Sequence, residues 1–138
     1  MIDESTDFGA RAARRLREEI VVWLTTVTPG GAPLPRPVWF VWDGADTVRM
    51  HSLDGARVRN LHANPRVTLN FNSTPQGGDV IVLSGTAAID ESAPAADRDE
   101  PYVAKYGDDM ARVAGSLEGF AARYSVPVRI DVAKVDGH

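Results

Sequence analysis

The chain is 138 residues long, 43% hydrophobic and 25% charged, which suits one folded domain and lies outside the disordered classes. Its 15 basic and 19 acidic residues leave a formal charge of −4, so the molecule lacks the overall positive field that draws proteins to nucleic acid. The absence of cysteine excludes disulfides, thiolate metal sites and cysteine nucleophiles.

No run approaches the roughly 18 to 20 apolar residues that cross a bilayer. The acidic residues Asp3, Glu4 and Asp7 stand where a secretory leader would be basic. These features lead us to expect a cytoplasmic protein, with one domain over 1–138 and flexible ends at 1–7 and 136–138.

From Phe8 onward, Phe8, Ala12, Leu16 and Ile20 recur every fourth residue with arginines between them, the signature of an amphipathic helix that Thr6 or Asp7 can cap. The arginines read as a solvated face in preference to a nucleic-acid patch. Ile20 to Val27 is rich in β-branched residues and reads as the first strand. The turn residues Pro29-Gly30-Gly31 separate it from a second strand over Pro37 to Trp42, and Asp43-Gly44 separates that from a third over Thr47 to Ser52.

A glycine turn then leads into a short helix that Asp54 can cap. Arg66 to Asn72 alternates, with Val67, Leu69 and Phe71 on one face, as a half-buried fourth strand does. After a loop at Pro75, Gly77 and Gly78, Val80 to Ile89 is the fifth, with Gly85 marking a bulge or bend. Short helices follow from about Pro94 to Tyr106, stopped by Gly107, and from Ser116 to Tyr124, capped by Ser116. The last strand alternates Val126, Val128, Ile130 and Val132, and its apolar phase slips by one before Val135. Six strands in meander order predict a β-rich α+β fold, an antiparallel sheet curled into a barrel with helices outside.

The stretch Met50 to Leu61 carries the most chemistry. A helix start offers unpaired N–H groups, and Arg57 and Arg59 add guanidinium forks that match phosphate oxygens. The competing reading has both arginines covering an ordinary helix with nothing bound. Pro37-Val38-Trp39-Phe40, on the neighbouring strand, offers an apolar surface for a flat ring. One of Trp39 and Phe40 must still be core, because adjacent strand residues face opposite ways. His51 either hydrogen-bonds a ligand or is satisfied within the sheet. Three histidines without local partners give no zinc set, and His138, at the chain end, is expected to be disordered. No serine lies in a hydrolase elbow.

Taken together, Trp23-Leu24-Thr25-Thr26-Val27, Pro37-Val38-Trp39-Phe40, Arg57-Val58-Arg59-Asn60-Leu61 with Asn64-Pro65-Arg66-Val67, and Ser125-Val126-Pro127-Val128-Arg129 make the chain resemble the split β-barrel flavin-binding proteins related to pyridoxamine 5′-phosphate oxidase, and within them the F420 (deazaflavin)-dependent reductases. The resemblance runs from about Phe8 to Val135. It implies a six-stranded split barrel and a homodimer with two cofactors in clefts between the subunits. It implies too an oxidoreductase in which reduced coenzyme F420 passes hydride to a small unsaturated or heteroaromatic acceptor.

By the same resemblance Arg57, where the family usually has lysine, anchors the cofactor phosphate, with Arg59 and Asn60 as supporting donors. Val38, Trp39, His51 and Ser52 border the ring. The runs Pro75 to Asp79 and Tyr102 to Tyr106 are candidate walls for the acceptor. Relatives that oxidise pyridoxamine phosphate carry cationic residues where Pro37 and Ala56 stand, which favours F420 over FMN, although Arg36 offers a partial replacement. The alternatives are an FMN-binding oxidase or flavin reductase, and a non-catalytic module that only binds cofactor.

Overall fold

Helix α1 (Asp7–Glu18) opens the computed structural model, which describes residues 2–138; the part of the expected flexible start that falls on Met1 lies outside them. The Thr6 hydroxyl accepts a hydrogen bond from the Gly9 N–H at 2.9 Å, the capping geometry that satisfies an orphan donor at a helix start. Ala12, Ala13 and Leu16 face the core. Ile20, fourth in the apolar series, falls beyond the helix and is exposed. The arginines of α1 do more than coat it. Arg15 donates to the carboxylate of Asp79 at 3.1 Å and to the carbonyl of Asn72 at 2.9 Å, lashing the helix to a distant loop.

Seven strands follow instead of six: β1 (Val22–Val27), β2 (Pro33–Val38), β3 (Val41–Trp42), β4 (Thr47–Ser52), β5 (Arg66–Asn70), β6 (Ile81–Ile89) and β7 (Val126–Gly137). All pairs are antiparallel, in the order β2-β1-β5-β6-β7-β4-β3, so the sheet is not the expected meander. β1 pairs with β5 and β4 with β7, which curls the sheet into a half-barrel.

The run expected as one strand over Pro37 to Trp42 is two. β2 begins earlier, at Pro33, despite prolines at 33, 35 and 37. Because these alternate, the residues without an N–H occupy one row of the strand. Leu34, Arg36 and Val38 are left to serve β1, and proline is tolerated only on such an outer edge.

The expected slip in the last strand is present. Ser84 pairs with Lys134 but Gly85 with Val132, so Ala133 is the extra residue of a bulge. Gly85 is required there, since a Cβ would lie 2.1 Å from the Asp131 carbonyl oxygen. The β6–β7 ladder runs past Val135 to Gly137, and His138 exchanges backbone hydrogen bonds of 2.9 and 3.0 Å with Val80, which replaces the expected disorder at His138.

The helices α2 (Ala56–Ala63), α3 (Glu100–Ala114) and α4 (Leu117–Arg123) complete the chain, with a 3-10 turn at Ala96–Arg98. Helix α3 passes straight through Gly107 and ends at Gly115, whose φ of 82° is the left-handed cap. One interior glycine costs about 1 kcal/mol. The buried stripe Tyr102, Tyr106 and Met110 carries the helix across it. Among the described residues no helix is long and apolar enough to cross a membrane.

There are two apolar cores. The first fills the curl of the sheet with Leu24, Phe40, Met50, Leu69, Leu83 and Ile130, closed by Leu16 of α1 and Leu61 of α2. The second gathers Tyr102, Tyr106 and Met110 of α3 and Phe120 of α4 against Val41. Trp39 and Phe40 divide between them, as strand alternation requires: Phe40 is wholly buried in the first, and Trp39 packs on the second.

At this pair the chain leaves β1, crosses the open side of the sheet and joins β4, so Phe40 has no strand partner. The Tyr106 hydroxyl takes its place. It accepts from the Phe40 N–H at 2.8 Å and lies 2.9 Å from the Phe40 carbonyl and 2.7 Å from that of Ile20, to which it can donate. Lys105, its pKa pushed down by burial to about 8, also donates to the Phe40 carbonyl at 3.0 Å. Tyr106→Phe leaves the Phe40 N–H buried and unpaired, and is expected to lower stability by about 1 to 3 kcal/mol in urea denaturation. An unchanged midpoint would show that the crossing is held by packing alone.

Candidate functional site

The strand crossing shapes a cleft of about 340 Å³ between the sheet and the C-terminal helices. Pro37, Val38 and Trp39 supply one wall, and Met50 and His51 of β4 another. Tyr102 and Val113 of α3 with Phe120 and Tyr124 of the α4 region supply the third. Trp39, Tyr102, Phe120 and Tyr124 make four of its eleven lining residues aromatic. The Trp39 ring stacks with Tyr106 at 4.9 Å and with Phe120 at 5.5 Å, and Phe120 stacks with Tyr124 at 4.3 Å. A second hollow of about 230 Å³ adjoins it, lined by Thr26, Leu34, Arg36, Gly55 and Ala56. Leu53 and Arg57 belong to both.

Arg57 is therefore the hinge between the hollows. Its guanidinium donates to the Ser52 hydroxyl at 3.0 Å, and Ser52 in turn donates to the Leu53 carbonyl at 2.8 Å, so the side chain is held in place from behind. Burial, and then the positive charge of Arg36, pull its pKa below the ordinary arginine value. It remains a cation at any physiological pH. Among the described residues neither Arg57 nor Arg36 has a carboxylate partner; Arg36 donates to the Pro35 carbonyl at 2.8 Å. Two neighbouring, unneutralised guanidinium groups at a hollow are a donor set able to hold an anion. The start of α2 beside them has no side-chain cap: Gly55 holds the cap position, not the expected Asp54.

Behind the opposite wall, Asp99 is almost wholly buried and caps α3. Arg49 grips both its oxygens, the second at 3.1 Å, and His51 Nε2 lies 2.9 Å from Oδ2. Burial pushes the Asp99 pKa up, but hydrogen bonds from Arg49 and His51 outweigh it and hold the carboxyl below 3.8. For His51 burial is the larger effect and holds the imidazole below 6.5, so it is neutral at pH 7.

Of the residues expected at the site, Val38, Trp39, His51 and Arg57 line the cleft. Ser52 is buried behind Arg57. Arg59 is exposed on the outer side of α2. Asn60 is turned inward, donating to the Thr26 hydroxyl at 3.1 Å, and so supports a wall of the second hollow from behind. Tyr102 joins the cleft, whereas the Pro75 to Asp79 run lies against α1.

Sequence reasoning missed Asp99, Phe120 and Tyr124. Phe120 and Tyr124 have one signal, the spacing of aromatic residues toward the C-terminus, which reads equally as core, and Asp99 has none beyond a capping residue type before Pro101.

A curled antiparallel half-barrel with helices packed outside it defines the split-barrel class of folds. Within it, residues 8–137 match the family model of pyridoxamine 5′-phosphate oxidase, and the chain belongs to that family. Among solved structures it is similar to an F420 reductase, at 17% identity and a TM-score of 0.62 over 89% of this chain and 94% of the other. It is similar to HutZ, the heme storage protein of Vibrio cholerae, at 16% and 0.63 over 94% and 92%. General stress protein 26 of Bacillus anthracis gives 16% and 0.67 over 91% and 89%. These likenesses are of fold. No curated protein matches the sequence.

Asp99→Asn is expected to cost about 3 kcal/mol at pH 7, because it strips the charge that pairs Arg49. The sign with pH follows from the shifts. Asp99 stabilises the native state fully above its unfolded value of 3.8, and the contribution is lost as pH falls through its lower native pKa. Denaturation across pH should thus show wild type and variant converging below pH 3.8. His51 should add a separate loss of stability in both as pH falls below 6.5, since the unfolded chain takes up that proton first.

Proposed function

We propose that this protein is an oxidoreductase that binds coenzyme F420, with the anionic tail at Arg57 and Arg36 and the flat ring in the aromatic cleft, and that it works as a homodimer. The observation that carries this reading is the pair of unneutralised guanidinium groups where an apolar, ring-sized cleft meets a second hollow. Family membership and the fold shared with an F420 reductase support it.

The residues fit such a ligand. An anion would relieve the mutual repulsion of Arg57 and Arg36, and the Ser52 hydroxyl fixes the Arg57 fork before the ligand arrives. Trp39, Tyr102, Phe120 and Tyr124 exclude water from the ring and offer it stacking faces. When bound, the deazaflavin supplies the hydride.

F420 is favoured over FMN because Pro37 and Ala56, where pyridoxamine phosphate-oxidising relatives carry cations, each line one of the hollows and add no charge. FMN is the second reading, supported by Arg36, which brings a second cation to the tail. A module that binds cofactor without turnover has the same geometry; it would bind tightly and reduce no electron acceptor.

Arg57→Ala should weaken F420 binding by about 1.5 to 3 kcal/mol, roughly one to two powers of ten. Parallel fluorescence titrations with F420 and FMN read this directly, and unchanged affinity would refute the anchor. The dimer is supported by Leu53 and Val113, which are 46% and 38% exposed while lining the cleft, so its open side is apolar and suits cover by a second copy. Sedimentation velocity should give twice the mass of the 14.9 kDa chain; a monomer at micromolar concentration would remove that part of the reading.

A further inference from the structure

Two polar groups in the cleft wall have nothing to bond to within the protein. Tyr102 is 1% exposed and lines the cleft, yet among the described residues its hydroxyl has no hydrogen-bond partner. A hydroxyl that faces a cleft without a protein partner is left for water or a ligand to satisfy. His51 is 5% exposed and lines the same cleft. Its Nε2 is committed to Asp99, so the nitrogen left over is Nδ1.

The state of Nδ1 follows from its surroundings. Asp99 is an acceptor of two hydrogen bonds from Arg49, and of a third, at 3.4 Å, from the Tyr102 N–H. Being ionised, it has no proton to give, so Nε2 must carry the hydrogen between them. Nδ1 of the neutral ring is then a bare acceptor. The imidazole meets the Tyr102 ring edge-on with centroids 4.6 Å apart, so the side chains that carry the acceptor and the donor are neighbours in the lining of the cleft.

We propose that His51 Nδ1 and the Tyr102 hydroxyl read an amide-type edge of the bound ring, accepting from its N–H and donating to the adjacent carbonyl oxygen. Such an edge is the pyrimidinedione side shared by flavins and deazaflavins, so this inference rests on the cleft being the ring site. Arg49 and Asp99 act as positioning residues that hold His51 in the one tautomer able to accept. Flat rings without an N–H beside a carbonyl are selected against, because they leave both groups unpaired.

The test uses wild-type protein and rings that lack the anionic tail: lumiflavin and 5-deazalumiflavin, each against its N3-methyl derivative, titrated by fluorescence quenching. Methylation removes the N–H and puts a methyl group against Nδ1, and should weaken binding about tenfold or more. Tyr102→Phe should weaken the parent and the methylated ring alike, by about fivefold.

Equal affinity of parent and methylated rings would overturn the proposal, as would failure of both rings to bind up to their solubility. Sensitivity to methylation with no effect of Tyr102→Phe would overturn the pairing of the two residues. Failure of the tail assignment is a different result: FMN and F420 would then bind no tighter than their tail-less rings.

Discussion

The crossing at Trp39 and Phe40 organises the molecule. A sheet that continued through these residues would close its hydrogen bonds and leave no cleft. Interrupting it exposes backbone groups in an apolar interior, which a fold tolerates only if something else bonds them. The Tyr106 hydroxyl meets that need from outside the sheet, and so ties the position of α3 to the place where the sheet is split. The cleft is the space between the parts so joined, with Trp39 stacked on Tyr106 at one side and Tyr102, one turn earlier on α3, at the other. Fold and site are thus consequences of a single substitution of side chain for strand.

The charged groups around the cleft fall into two kinds. Asp99 is saturated by Arg49, His51 and the helix it caps, and its role is to hold the wall. Arg57 and Arg36 are the reverse: the charge of Arg36 helps to lower the pKa of Arg57, both are anchored through neutral oxygens, and neither has a carboxylate among the described residues. A protein gains stability from the first arrangement and loses it through the second unless a ligand brings the missing charge. The same contrast appears on a smaller scale at His51, whose one nitrogen is bonded for structure while the other remains free.

Much of this was legible in the residues. The alternation of Val67, Leu69 and Phe71 marked β5, the slip before Val135 marked the bulge, and the glycine turn drew attention to Arg57, which lines both hollows, because each is a local pattern with a local cause. Where reading failed, a local rule met a tertiary override. The second strand was expected from Pro37, but it begins at Pro33, because an edge position tolerates the alternating prolines at 33, 35 and 37. Gly107 looked like a helix stop, yet packing of Tyr102, Tyr106 and Met110 outweighed a cost of about 1 kcal/mol. Asn60 and Arg59 looked like donors to a ligand beside Arg57, but the pitch of α2 turns one inward and the other out.

By itself the sequence determined the class of fold, a bulge before Val135, the division of Trp39 and Phe40 between two faces, and Arg57 as a cation at the turn before α2. All of these depend on residues within a few positions of one another, where periodicity and turn chemistry act. Only the tertiary structure decided that Arg36 stands beside Arg57, that Asp99 fixes His51 from 48 residues away, and that α3 and α4 supply an aromatic wall. Those contacts are made by strand pairing and helix packing between segments far apart in the chain, and no local pattern encodes which side chains will meet there.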